Sequence, residues 1–268
     1  MIVDAAAAAE AARRLDQAER TRTPVRMVSL DHPGMDLEDS YRIQEAWKAL
    51  KIGAGRRVVG HKIGLTSKAM QSALGIDQPD SGFLLDDMLF ADGGTVPTSR
   101  FIGLRVEAEL AFVMKTDLAG PNCSIFDVLR ATEYVVPALE ILDTRYHRKD
   151  PATGASRTVF DTIADNASNA GIVTGGRPFR ADEHDLRWAG AICSKNGAVE
   201  ETGLAAGVLN HPAMGIAWLA NRMTGQGERL LAGQVVLSGS FIRPIEVRAG
   251  DTIAADYGPF GTVSCYFE

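Results

Sequence analysis

The apolar positions of this chain change period several times, and each change marks an element. From about residue 4 to 22, Ala and Leu alternate with Glu and Arg at helical spacing, and Asp4 is placed to cap the helix. A second helix is expected from Leu37 to about Ile52. Asp36 is its cap, Tyr41, Trp47 and Leu50 fall near one face, and Gly53 and Gly55 end it. Beyond Gly55 the period shortens to that of a strand. Val58 to Leu65 reads as one, followed by a short helix opened by Thr66 or Ser67 and closed by Gly75, then a loop through Gln78, Pro79, Asp80, Ser81 and Gly82. Strand-like runs recur at 105–114, 134–143, 171–174, 190–195, 234–238, 244–248 and 262–267. Two further helices interrupt them, one from Ser124 with Asp127 three residues on, the other over about 212–223 with Pro212 in its first turn.

Runs of strands with occasional helices, and no regular βαβα alternation, predict an α+β fold. The chain divides into a helical N-terminal region with the first strand, residues 1–75, and a mixed-sheet catalytic core, residues 76–268, continuous with it. There is no internal repeat and no low-complexity linker.

Composition narrows the function by exclusion. The 268 residues are 46% hydrophobic and 23% charged, with a net charge of -6 and no block of Lys or Arg. No nucleic-acid footprint and no polybasic membrane anchor are therefore expected. The Ala5–Ala9 run lacks a basic leader and is broken by Glu10, Arg13 and Arg14, so it does not read as a signal peptide. No uncharged apolar run is long enough to span a bilayer. Cys123, Cys193 and Cys265 lie far apart, in neither zinc nor CxxC spacing, and read as free thiols of a cytoplasmic protein. The glycine pairs at 53/55 and 225/227 match neither phosphate-binding fingerprint, so no nucleotide cofactor is expected.

Candidate chemistry concentrates in two runs. In RVEAELAFVM, residues 105–114, Val106, Ala108, Leu110, Phe112 and Met114 share one strand face, and Glu107 and Glu109 share the other with Ala111 and Val113. Residues two apart on a strand are separated by about 6.5–7 Å at Cα, so two carboxylates there can converge on one hard cation. A half-exposed strand with two acids on its outer face is the competing reading. In VVPALEIL, Glu140 is the lone polar side chain of a run that looks covered on both faces. A buried carboxylate needs compensation, either by a metal or by a cation such as Arg105 or Arg145. Lys62, in GHKIG, can place positive charge beside a substrate carboxylate or enolate, or can be an ordinary snorkelling lysine. Asp80, in QPDSG, can act as a base on water or merely form a turn. Ser240 and its neighbours in VVLSGS suit a carboxylate but are also common turn chemistry. The histidines show no ligand spacing, and His211 before Pro212 reads as a helix entry.

Together GHKIGLTSKAMQ, QPDSG with LLDDM, RVEAELAFV, VVPALEILD, FDTIADNASNAG, AAGVLNHP and GDTIAADYG resemble, in this order, the fumarylacetoacetate-hydrolase-like superfamily and its hydratase/decarboxylase branch. The resemblance runs through nearly the whole chain. It implies a mixed β-sheet roll of the fumarylacetoacetase C-terminal type behind a small helical N-terminal region. It also implies Mg²⁺ or Mn²⁺ on Glu107, Glu109 and Glu140, with Lys62 and Asp80 in the active site. The implied reaction is water addition to an unsaturated 2-oxo dioate, 2-oxohept-3-ene-1,7-dioate to 4-hydroxy-2-oxoheptanedioate, in aromatic catabolism such as the homoprotocatechuate pathway. Hydration of 2-hydroxypentadienoate, decarboxylation of 4-oxalocrotonate or the role of a non-catalytic partner are the alternatives. A homo-oligomer, up to a decamer, and association with neighbouring pathway enzymes are further implications. The segment 150–160 with Arg148, Lys149 and Arg157 suits a substrate with a second carboxylate, and Arg157 is its candidate ligand. Leu104, Met214 and Ile242 depart from the family pattern, and none of them is a proposed metal ligand.

Overall fold

Asp4 and Asp36 open the two long N-terminal helices as their positions predict. The Asp4 carboxylate accepts from the Ala7 N–H at the start of α1 (Ala5–Thr21). After the short α2 (Val28–Asp31), Asp36 and Asp39 close a reciprocal capping box at the start of α3 (Leu37–Gly53). The computed structural model describes residues 2–268, apart from the side chains of Met70, Ala73 and Leu74.

The remaining elements follow in chain order: β1 (Val58–Gly64), α4 (Lys68–Leu74), β2 (Asp80–Leu85), β3 (Leu89–Phe90), β4 (Gly94–Val96), β5 (Arg105–Met114), α5 (Ile125–Ala131) and β6 (Thr132–Leu142). Next come α6 (Val159–Ala164), β7 (Asn169–Thr174), β8 (Gly190–Lys195), β9 (Ala198–Leu204), α7 (Ala213–Gly225), β10 (Val235–Leu237), β11 (Ile245–Glu246), β12 (Thr252–Asp256) and β13 (Thr262–Phe267). They form an eight-stranded sheet of order β2-β1-β10-β5-β6-β7-β3, with β11 beside β5, and a five-stranded sheet of order β4-β13-β12-β8-β9. The β1–β10, β3–β7 and β4–β13 pairs are parallel and the others antiparallel, so both sheets are mixed. The α+β class read from the sequence is the class observed.

The alternation in β5 fixes the orientation of everything that matters chemically. Val106, Ala108, Leu110, Phe112 and Met114 are fully buried in one hydrophobic cluster with Ile253, Val263, Cys265 and Phe267 of the smaller sheet. Burying each large side chain contributes roughly 1.5–3 kcal/mol, and a one-residue slip would expose the whole set. That register is therefore strongly specified, and it forces Glu107 and Glu109 onto the opposite face. The N-terminal helices make a second cluster, in which Leu15, Ile43 and Trp47 pack on Phe83 and Leu85 of β2 and on Tyr146. β1 itself lies inside the large sheet, between β2 and β10.

One local expectation is corrected, and some elements are additional. The stretch from Asp80 to Gly82 is not loop but the start of β2, because Asp80, Ser81 and Gly82 pair with Gly64, Ile63 and Lys62 of β1. Tertiary pairing overrides the Pro and Gly punctuation there. Helix α6 was not predicted, although Thr158 and Asp161 form a capping box whose spacing is legible in the sequence. Strands β9 and β12 are likewise additional to the predicted runs.

Candidate active site

Strand register brings the three glutamates together. Glu107 lies directly opposite Glu140 in the β5–β6 ladder, and Glu109 follows two residues along the same face. One carboxylate oxygen from each lies within 4.8 Å of those of the other two. Glu140 Oε1 accepts a hydrogen bond from Asn169 Nδ2 at 2.7 Å and stands 3.4 Å from Lys62 Nζ. Glu109 Oε2 accepts from the Gly239 N–H at 2.8 Å. The second oxygens, Glu109 Oε1 and Glu140 Oε2, are buried with no hydrogen-bond partner. Burial, reinforced by the Glu140 charge, pushes the Glu107 carboxyl up to about 8 and that of Glu109 well above the ordinary carboxylate range.

Orphaned carboxylate oxygens are costly, and a cation bound between them removes the cost. An all-oxygen donor set without His or Cys suits a hard divalent ion such as Mg²⁺ or Ca²⁺. The residues fit a metal of that class.

Lys62 is buried, so it is not a snorkelling surface lysine. Its Nζ donates to the Ala167 carbonyl at 3.2 Å. Burial alone would lower its pKa, but Glu140, Asp80, Glu107 and Glu109 outweigh this and raise it, so the ammonium stays charged. Asp80 is also buried, with Oδ1 unpartnered. Burial lifts its carboxyl to about 6 against the opposing pull of Lys62. A Cβ at Gly64 would lie 2.2 Å from Asp80 Oδ1 and 3.0 Å from Lys62 Nζ, so only glycine leaves room for this pair.

These groups line a cavity of about 570 Å³. Lys62, Asp80, Glu107 and Glu109 share its wall with Arg105, Arg157 and Ser240, while Glu140 sits behind them. Arg157 Nη1 donates to Thr144 Oγ1 at 2.6 Å and Ser168 Oγ at 3.2 Å. Arg105 Nε is buried and unpartnered. Among the described residues, no carboxylate lies within ion-pair distance of Arg105 or Arg157, although most other cationic side chains have one. The Ser240 hydroxyl is engaged locally, donating to the Ile242 carbonyl at 2.8 Å.

Other expectations fall differently. Glu140 is compensated by Lys62 and Asn169, not by Arg105 or Arg145, because Arg145 is held by Asp165 at 2.5 Å. Arg148 is exposed and pairs with Glu246, and Lys149 is exposed, so of the three basic residues near segment 150–160 only Arg157 lines the cavity. His211 Nδ1 accepts from the Ala213 N–H, as a helix entry. Sequence reasoning missed Asn169 as the donor to Glu140 and Arg105 as a cavity residue. It also missed the turn before Asn169, where Asn166, Ala167 and Ser168 are all left-handed, at φ 53°, 49° and 63°. The conformation costs roughly 1–2 kcal/mol per ordinary L residue, and an Asn-Ala-Ser string carries no signal for it.

No family model matches the sequence. The chain is 57% identical to 2-oxo-hept-4-ene-1,7-dioate hydratase of Escherichia coli over 256 residues, 96% of each chain. It superposes on 4-oxalocrotonate decarboxylase from Pseudomonas putida G7, solved with magnesium and adipate, with TM-score 0.91, 36% identity and 97% of each chain covered. Fumarylpyruvate hydrolase from Pseudomonas aeruginosa shares the fold alone, with TM-score 0.58 and 13% identity over 77% of this chain and 88% of that one. The glutamate cluster, the buried lysine and the mixed-sheet roll agree with these likenesses, and the chain belongs to the hydratase/decarboxylase branch of the fumarylacetoacetate-hydrolase-like superfamily.

Proposed function

We propose that the protein adds water to 2-oxohept-4-ene-1,7-dioate to give 4-hydroxy-2-oxoheptanedioate. One observation carries this reading: a single cavity is lined by Glu107 and Glu109, with Glu140 of the same buried carboxylate triad behind them, and by two arginines without carboxylate partners. A dioate with a 2-oxo acid at one end presents the matching chemistry, an oxygen chelate and a free carboxylate. The 57% identity to a hydratase named for that substrate supports it.

Glu107, Glu109 and Glu140 would hold Mg²⁺ or Mn²⁺, which when bound supplies Lewis-acid stabilisation of charge on the 2-oxo acid. The protein's own groups do the rest. The substrate's double bond moves from C4–C5 to C3–C4 when a proton leaves C3 and one joins C5. Water oxygen then bonds to C4, and C3 regains a proton. Lys62 is charged and places an ammonium beside the developing enolate. Asp80, with one oxygen free and its carboxyl lifted to about 6, takes the proton of the attacking water. Arg157, with Arg105 on the same wall, receives the distal carboxylate by charge-assisted hydrogen bonds. Ser240 offers backbone contacts to the cavity, its hydroxyl being engaged by Ile242.

The likeness to a decarboxylase favours one second reading, loss of CO₂ from a chelated six-carbon dioate. Incubation with Mg²⁺ and each of 2-hydroxyhepta-2,4-dienedioate, 2-oxohex-3-enedioate and 2-hydroxypentadienoate separates the two. The hydratase reading expects hydrated seven-carbon product without CO₂, and CO₂ release from the six-carbon dioate as the dominant reaction would replace it. Cytoplasmic location and homo-oligomeric assembly, up to a decamer, belong to the same proposal. The apolar residues Ile192, Val199 and Tyr266, left exposed on the smaller sheet, support assembly, and light scattering of the purified protein tests it. No helix among the described residues is long and apolar enough to cross a membrane.

A further inference from the structure

The link from α6 into β7 is the most strained segment that touches the cavity. Asn166, Ala167 and Ser168 are buried and left-handed in succession. An L residue adopts this conformation reluctantly because its Cβ crowds the following carbonyl, so three together persist only where the surroundings hold them. Those surroundings are the site. Asn166 clamps Phe83 of β2, accepting from its N–H at 2.8 Å and donating to its carbonyl at 3.0 Å, three residues from Asp80. The Ala167 carbonyl accepts from Lys62, the Ser168 hydroxyl accepts from Arg157, and Asn169 donates to Glu140. The approach is close enough that a Cβ at Gly82 would lie 2.6 Å from the Asn166 carbonyl oxygen.

Four successive residues thus each hold a different neighbour: Ala167 and Ser168 hold Lys62 and Arg157 of the cavity wall, and Asn166 and Asn169 hold Phe83 and Glu140 beside it. Had α6 simply continued, the carbonyls would lie along the helix axis and the side chains would spread about 100° apart. Lys62 would then lose its acceptor. The left-handed turn is what lets one short segment reach Lys62, Arg157 and Glu140 together.

We propose that the Asn166–Asn169 turn is the gauge of substrate length. It fixes the separation between the Glu140–Lys62 end and Arg157, so that one chain length of 2-oxo dioate engages both ends. This rests on the reading that Arg157 receives the distal carboxylate. Asn166, Ala167, Ser168 and Asn169 act as positioning residues and do not themselves react.

The test measures kcat/KM with Mg²⁺ for 2-oxohept-4-ene-1,7-dioate, 2-oxohex-3-enedioate and the monoacid 2-oxopent-4-enoate. The variants are Ser168→Ala, Ala167→Gly and Arg157→Lys. Ser168→Ala removes one of the two acceptors that hold Arg157, and the preference for the seven-carbon dioate over the monoacid falls about ten-fold, mainly through KM. Ala167→Gly keeps every hydrogen bond, since Lys62 is held by a backbone carbonyl, and relieves the crowding at positive φ. Its melting temperature therefore holds or rises, while its preference for seven over six carbons falls about ten-fold. If Arg157→Lys lowers the dioate preference but neither turn variant does, the gauge is overturned and the distal-carboxylate reading stands. If Arg157→Lys leaves the preference intact, that reading falls and the gauge with it.

Discussion

Two buried clusters of charge lie only a few residues apart in this molecule, and they are built on opposite principles. The Arg145–Asp165 pair is complete. Arg145 Nε meets Asp165 Oδ1 at 2.5 Å, its Nη2 donates to the carbonyls of Asp165 and Asn169, its backbone N–H donates to Asp165 Oδ2, and its guanidinium lies 4.9 Å from the Trp47 ring centroid. The glutamate cluster is incomplete. Lys62 and Asn169 satisfy one oxygen of Glu140 and Gly239 one of Glu109, which leaves two buried oxygens bare. A buried ion pair closed by hydrogen bonds needs nothing from outside and serves the fold. A buried set of carboxylates left open is arranged for something the chain does not supply.

The contrast predicts opposite responses to losing one member. Glu107→Gln lowers turnover of the dioate by about 10³-fold, because several kcal/mol of transition-state charge stabilisation go with the metal. The same change leaves the melting temperature of metal-free protein equal or higher, since it relieves repulsion among buried carboxylates. Steady-state kinetics and calorimetry on one preparation check both halves, and a folding defect matching the activity loss would erase the distinction. Arg145→Met works the other way. It strands Asp165 in the interior and costs about 3–5 kcal/mol of stability, read from urea unfolding, while any protein that still folds retains metal-dependent turnover.

His61 offers a smaller, third comparison. It neighbours Lys62 on β1 and so points to the opposite sheet face, where burial, helped by the Lys48 charge, pushes its imidazole down to about 4. The unfolded chain binds this proton near pH 6.5 and the folded chain does not. Stability is therefore full above about pH 6.5 and lost progressively as pH falls toward 4, by about 2 kcal/mol at pH 5. Unfolding at pH 7 and pH 5 should show that loss in the wild type and a smaller one in His61→Gln. An equal loss in both would assign the acid sensitivity elsewhere.

The sequence disclosed the open cluster better than the closed one. Alternation in RVEAELAFVM put Glu107 and Glu109 on one face, and the apolar run around Glu140 marked a carboxylate in need of a partner, because both signals are local and periodic. Which cation answered Glu140 was not legible. That depends on β10 lying between β1 and β5 and on β7 pairing with β6, relations between segments remote in sequence. By sequence Arg145 is as plausible a partner for Glu140 as any, but in the fold Asp165 holds it. Asp80 looked like a loop residue because Pro79 and Gly82 flank it, and only its pairing with Gly64 makes it part of a strand. The left-handed turn at Asn166–Ser168 had no sequence signal, since it is imposed by its contacts and not by glycine.

The central claim, that the glutamate cluster is open because a divalent ion completes it for catalysis, is tested most directly by add-back. Protein stripped with chelator and freed of it should turn over 2-oxohept-4-ene-1,7-dioate negligibly, then regain activity as Mg²⁺ is titrated in, saturating at one ion per chain in the wild type and not recovering in Glu107→Gln. Full turnover by the stripped protein, or a Glu107→Gln variant that recovers with Mg²⁺ like the wild type, would contradict it.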